Sequence, residues 1–94
     1  MGLEIKNKTF VITGGLSGLG YAVKTSLLQK GGKVVVADIA DTDPGTFKAD
    51  HNGNAIFIKT DVTNKEDAAR AMDFAIAEFG QIDGLIQLRR HSTR

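Results

Sequence analysis

The sequence predicts an α/β fold, a parallel sheet wound on both sides by helices. Three observations carry this. Short apolar runs rich in β-branched residues alternate with longer segments of helical period. The runs are continuous, as suits strands covered on both faces. Glycines cluster where the first run gives way to the first helix.

Phe10, Val11 and Ile12 form the first run, ending at Thr13-Gly14-Gly15, and residues 21–30 follow as a helix. Leu19, Ala22, Val23 and Leu27 recur at spacings of three and four and are expected to share its buried face. Gly31-Gly32 stops this helix. The second strand is Val34-Val35-Val36-Ala37. Asp43-Pro44 opens a brief helix, because proline is tolerated at the first helical position, and Gly53 closes it. Ala55-Ile56-Phe57-Ile58 is the third strand. Thr63 with Glu66 matches a capping box for a helix that buries Ala68 or Ala69, Met72, Ala75, Ile76 and Phe79 and stops at Gly80. Residues 83–86 begin a fourth, buried strand. Right-handed crossovers give the strand order 3-2-1-4, with the reversal between the first and fourth strands. Ligands of such sheets bind beyond the carboxyl ends of the strands near that reversal.

Ninety-four residues allow one small domain. No apolar run is long enough for a membrane span, no h-region of a secretory signal is present, and Asn7 stands where a myristoylation signal has Ser or Thr. The expected location is cytoplasmic. With no cysteine there is neither a disulfide framework nor a thiolate metal site, and His51 has no second ligand at metal spacing. The net charge is +1, but Arg89, Arg90 and Arg94 carry the basicity. The body holds nine basic against eleven acidic residues, which argues against a nucleic-acid partner. Tyr21 and Lys24 read as surface residues.

The chemistry sits at the ends of the first three strands. In Thr13-Gly14-Gly15-Leu16-Ser17-Gly18-Leu19-Gly20, glycines permit a tight turn, the approach of a pyrophosphate to the backbone, and close packing of the helix on the sheet. Free N–H groups at the helix start suit phosphate. A glycine-rich turn alone is a weak signal whose alternative is a flexible loop, and the strand before it and the amphipathic helix after it disfavour that alternative. Asp38 ends the second strand 18 residues after Gly20, close to the roughly 20 expected of a ribose-binding acid. Its carboxylate accepts hydrogen bonds from ribose hydroxyls and repels a 2′-phosphate, so NAD is favoured over NADP. Asp61-Val62 ends the third strand, where the acid and the apolar side chain suit an adenine. An aspartate before Thr63 is also ordinary turn chemistry. A methyltransferase binding S-adenosylmethionine shares the glycine turn and the strand-end acid, but the spacing of Gly14, Gly18 and Gly20 disfavours it.

These residues together resemble the short-chain dehydrogenase/reductase family. "TGGLSGLG" is similar to its TGxxxGxG signature, and "ADI" and "TDVT" fall where the family has its ribose and adenine contacts. The resemblance spans residues 8–86 and implies a Rossmann-type doubly wound sheet, an NAD cofactor, and oxidoreductase activity on a secondary alcohol or ketone. "ITGGLSGLG" with "DVTNKEDAARAM" looks most like the type II 3-hydroxyacyl-CoA dehydrogenase branch. By resemblance, Gly14, Gly18 and Gly20 shape the turn, Ser17 and Leu19 touch the pyrophosphate and nicotinamide side, Asp38 the ribose, and Asp61 with Val62 the adenine.

The family's Asn-Asn-Ala-Gly or Asn-Cys-Ala-Gly turn after the fourth strand is missing, as are its catalytic serine, tyrosine and lysine. Tyr21 is the only tyrosine, with Thr25 four residues on, so no catalytic residue is assigned. Residues 87–94, "QLRRHSTR", can be encoded as CAA TTG CGC CGG CAT AGC ACC CG-. Read one base later, that string gives Asn-Cys-Ala-Gly-Ile-Ala-Pro. The expectation is therefore a partial NAD-binding domain over 1–86, truncated to about four strands, and an out-of-frame basic tail over 87–94. Such a chain is expected to be catalytically incomplete; the alternative reading is a non-catalytic adenine-nucleotide-binding module. Its exposed sheet edge invites self-association.

Overall fold

The computed structural model of the chain describes residues 4–14, 16 and 18–88. Strands and helices alternate as β1 (Thr9–Thr13), α1 (Gly18–Gln29), β2 (Lys33–Asp38), α2 (Pro44–Asp50), β3 (Ala55–Lys59), α3 (Lys65–Phe79) and β4 (Gly84–Gln87). The pairings are all parallel, in the expected order β3-β2-β1-β4. Among the described residues no helix is long and apolar enough to cross a membrane.

The continuous apolar strands have their physical reason in two cores, one on each face of the sheet. Ile12, Val34, Val36 and Phe57 point to one side, where Leu27 of α1 and Phe47 of α2 cover them. Val11, Val35 and Ile56 point to the other, against Ala75 of α3. Successive side chains of a strand face opposite ways, so Val34, Val35, Val36 and Ala37 are all fully buried. Each buried valine contributes roughly 1.5–3 kcal/mol.

The fourth strand, apolar like the start of a buried one, is the exposed sheet edge expected of a sheet of four strands. It alternates between half-buried Gly84 and Ile86 and exposed Leu85 and Gln87, because β4 is an edge that the helices over the central strands only half cover. Gly84 is required there: a Cβ would lie 2.7 Å from the Phe10 ring. The strand runs through Gln87, and Leu88 continues it by donating its N–H to Thr13 O at 3.1 Å. The basic residues 89–94 lie outside the described residues.

Helix faces also need correction. α1 starts within the glycine run, at Gly18, and buries Gly20, Lys24 and Leu27, while Leu19 and Ala22 are exposed. The inward residue of its first turn is a glycine, which rotates the buried face away from the one the apolar residues suggest. Lys24 is not a surface residue: it is 4% exposed. On α3 the buried residues are Ala71 and Ala75, flanked by half-buried Ala68, Met72 and Phe79, whereas Ala69 and Ile76 are exposed. Small residues at the contact let the helix approach the sheet closely and leave Ile76 outside.

The cap of α3 is Asn64, not the expected Thr63. Asn64 has extended backbone and its side chain accepts the Asp67 N–H at 3.0 Å. Thr63 instead donates both its N–H and its hydroxyl to Asp61 Oδ1, at 3.0 and 2.6 Å. Asp43 opens α2 and Gly80 closes α3 as expected, Asp43 accepting from Gly45 N–H and Gly80 in the left-handed conformation at φ 83°, whereas the C-cap of α2 is His51, two residues before the expected Gly53. Asn64→Ala is expected to cost about 1 kcal/mol in urea unfolding, and Thr63→Ala distinctly less.

Asp83 fastens β4 to β1. Its Oδ2 accepts the Thr9 N–H at 2.8 Å and the Gln81 side-chain amide at 2.6 Å, and its own N–H donates to Thr9 O at 2.7 Å. The Thr9 N–H is the main cause that holds its carboxyl below the ordinary value of 3.8. A carboxylate depressed in the folded state stabilises fully above its unfolded value and loses that contribution as pH falls through the folded one. Acid titration of Asp83→Asn should therefore show lower stability than the parent at neutral pH and convergence with it at the acid end.

Candidate cofactor site at the strand ends

A cavity of about 470 Å³ opens beyond the carboxyl ends of β1, β2 and β3, a size typical of small-molecule sites. The first crossover supplies Thr13, Gly14 and Leu16 to its walls. Residues 37–40 follow β2, residues 60–63 follow β3, and Leu88 closes the side beyond β4. Gly14, Asp38, Asp61 and Val62, four of the residues singled out in the sequence, thus meet in one place.

The glycine turn has the geometry glycine is needed for. Gly14 adopts φ 73°, and a Cβ there would stand 2.8 Å from the Leu88 carbonyl oxygen. At Gly18, the first residue of α1, an added Cβ would meet nothing within 4 Å among the described residues. The first N–H groups of a helix have no carbonyl one turn back to bond, which leaves this end suited to an anion. Gly20 is buried on the inner face of α1, and Leu19 is 65% exposed on the outer side. These last three flank the cavity's first crossover without lining it. Ser17 lies outside the described residues.

Asp38 braces the site. Its Oδ2 accepts the Leu16 N–H and its Oδ1 the Ala40 N–H, both at 3.1 Å, while its carbonyl accepts the Thr60 N–H at 2.8 Å. A carboxylate offers about four acceptor positions, so two remain for hydroxyls of a ligand. Asp61 is held on both sides: Asp67 accepts its N–H at 2.9 Å, and its Oδ1 takes the two Thr63 bonds. That backbone bond is the main cause that lowers the Asp67 carboxyl, with Arg70 adding to it. The side chain of Asp61 therefore performs turn chemistry, and Asp61 and the exposed Val62 line the cavity.

Sequence reasoning missed Leu16, Ile39, Thr60 and Leu88. Leu16 and Ile39 carried a signal: each is an apolar residue just past a strand end, and both remain exposed, at 36% and 60%. Leu88 had none, since only the β1–β4 pairing brings it here. Lys59 was also overlooked. It stands opposite Asp38 in the sheet and pairs with Asp41 at 2.6 Å, which holds the Asp41 carboxyl below its usual range. Lys33, at the other end of β2, is remote from the site.

A parallel doubly wound sheet with a glycine turn after its first strand and an acid after its second defines a class of nucleotide-binding α/β proteins. Within that class, the family model for short chain dehydrogenase matches residues 8–88, and the chain belongs to this family. An uncharacterized oxidoreductase of Listeria monocytogenes is 40% identical over 87 residues, covering 88% of this chain and 35% of the relative. The 3-hydroxyacyl-CoA dehydrogenase type-2 of Drosophila melanogaster is 33% identical over 79 residues, 84% of this chain and 31% of the relative. The crystal structure of a short-chain dehydrogenase/reductase from Burkholderia phymatum in complex with NAD superposes with a TM-score of 0.79 at 29% identity, covering 89% of this chain and 31% of that one. The chain spans about a third of the length of the curated relatives it matches.

Gly14→Ala is expected to destabilise by roughly 1–2 kcal/mol from backbone conformation alone, with the clash against the Leu88 carbonyl in addition. Denaturant midpoints of the two proteins measure this.

Proposed function

We propose that this cavity is the adenosine and pyrophosphate part of an NAD site, in the cofactor-binding portion of an oxidoreductase acting on a secondary alcohol or ketone. The observation that carries the reading is the convergence of Gly14, Asp38, Asp61 and Val62, from three separate crossovers, on one cavity. The start of α1 at Gly18 and Leu19 offers backbone N–H groups to the pyrophosphate, the Gly14 turn lets the chain enter the helix there, and Ser17 is assigned to the same place by family resemblance. Gly20 lets α1 sit close to the sheet. Asp38 accepts from the ribose hydroxyls. Ile39 and Val62 are placed to pack on the adenine, whose amino group is within the province of Asp61. When bound, NAD supplies the hydride acceptor. The role of this chain is to hold and orient it.

NAD rather than NADP follows from charge. A 2′-phosphate would be driven against the Asp38 carboxylate, and Lys59, the cation opposite, is already engaged by Asp41. Proton transfer needs a group within hydrogen-bond reach of the reacting oxygen. Tyr21 lies under Lys24 on α1, 4.3 Å from its ammonium, and does not line the cavity. The 94 residues are accordingly read as cofactor-binding and catalytically incomplete, with residues 1–86 the binding portion. A 3-hydroxyacyl-CoA is the substrate that the motif resemblance and the Drosophila relative support for the whole enzyme.

Calorimetry with NAD, ADP-ribose, AMP and NADP tests the proposal. NAD and ADP-ribose should bind comparably, NADP more weakly. Asp38→Ala should lose about tenfold or more in NAD affinity, the worth of hydrogen bonds to a charged acceptor. Equal binding of NAD and NADP, or an unaffected Asp38→Ala, would refute it.

A further inference from the structure

A second cavity lies away from the strand ends, between α1 and the segment joining α2 to β3. It measures about 450 Å³ and is walled by Tyr21, Lys24 and Thr25 on one side and by Asp50, His51 and Asn54 on the other. At its base is Lys24, whose burial lowers its affinity for the proton. Its Nζ lies 2.7 Å from His51 Nε2, 4.3 Å from the Tyr21 ring centre and 5.7 Å from that of Phe47. His51 Nδ1 is 2.7 Å from Phe47 O, which can only accept. The proton of the neutral imidazole therefore sits on Nδ1, and Nε2 accepts from Lys24.

Buried charges in proteins are paired, and this one is not. Among the described residues no carboxylate lies within ion-pair distance of Lys24. An ammonium has three donors, and one is used by His51. The aromatic faces attract the charge without accepting a directed hydrogen bond of ordinary strength. We propose that this groove binds a small oxyanion, phosphate or carboxylate, whose oxygens accept from Lys24 and from the Thr25 hydroxyl and the Asn54 side-chain amide. Asp50 opposes this, but its side chain is exposed, and charge in water is screened far more than charge that is buried. The site is separate from the dinucleotide cavity, sharing none of its lining residues.

The test is a titration of the full chain, saturated with NAD, with inorganic phosphate and separately with acetate at constant ionic strength, followed by amide NMR. Saturable shifts at Thr25, His51 and Asn54 are expected, the two arms telling a phosphate site from a carboxylate site. Lys24→Met should weaken binding about tenfold or more, and Lys24→Arg much less. A readout on the parent protein guards against a misfolded variant: the anion should raise the titration midpoint of Lys24, followed in 13C-lysine-labelled protein, and leave the other lysines unmoved. Shifts confined to Gly14 and Gly18, equal affinity in a folded Lys24→Met, or an unmoved Lys24 titration would overturn the proposal.

Discussion

Burial of β2 between two strands and two helical layers is the constraint on which the rest of this structure depends. Val34, Val35, Val36 and Ala37 have no solvent-facing side. A shift by one residue would exchange the two cores and set each side chain against the wrong layer. The register is therefore firm, with Thr13 opposite Ala37 and Asp38 opposite Lys59. Three strands then end nearly level, and their following segments must meet.

At that meeting, backbone hydrogen bonding takes over from apolar packing. Gly14 N–H donates to Ala37 O, and Asp38 accepts from Leu16, from Ala40 and, through its carbonyl, from Thr60. One residue thus ties three crossovers. Because these partners are backbone groups, the arrangement is insensitive to neighbouring side chains, and the cavity walls are free to be apolar. Leu16, Ile39 and Val62 remain exposed there for that reason. The opposite end of the sheet is held differently, by the reciprocal pair of Asp83 and Thr9.

The strands and their order were legible because continuous β-branched runs separated by helical segments admit few topologies. Gly14, Asp38, Asp61 and Val62 were legible because their place is a strand end, which the pattern locates. The helix faces were not. Lys24 counts as polar in any periodicity, yet its side chain is buried, where its ammonium meets the His51 imidazole and two rings rather than a carboxylate. Thr63 and Asn64 are both good capping residues, and only the backbone conformation selects Asn64. The apolar sequence of the fourth strand suits burial, while its place last in the order 3-2-1-4 makes it an edge. Its position at the sheet edge, set by where α1 and α3 lie, leaves Leu85 46% exposed.

Sequence by itself determined the class of fold, the strand order, the family resemblance and the candidate cofactor contacts, since each rests on residues near one another in the chain. The tertiary structure decided which faces are buried, how Asp38 is oriented, that Leu88 closes the cavity, and that Lys24 meets His51. These depend on pairs far apart in sequence, brought together by sheet register and helix approach. No local pattern encodes the distance between two such side chains.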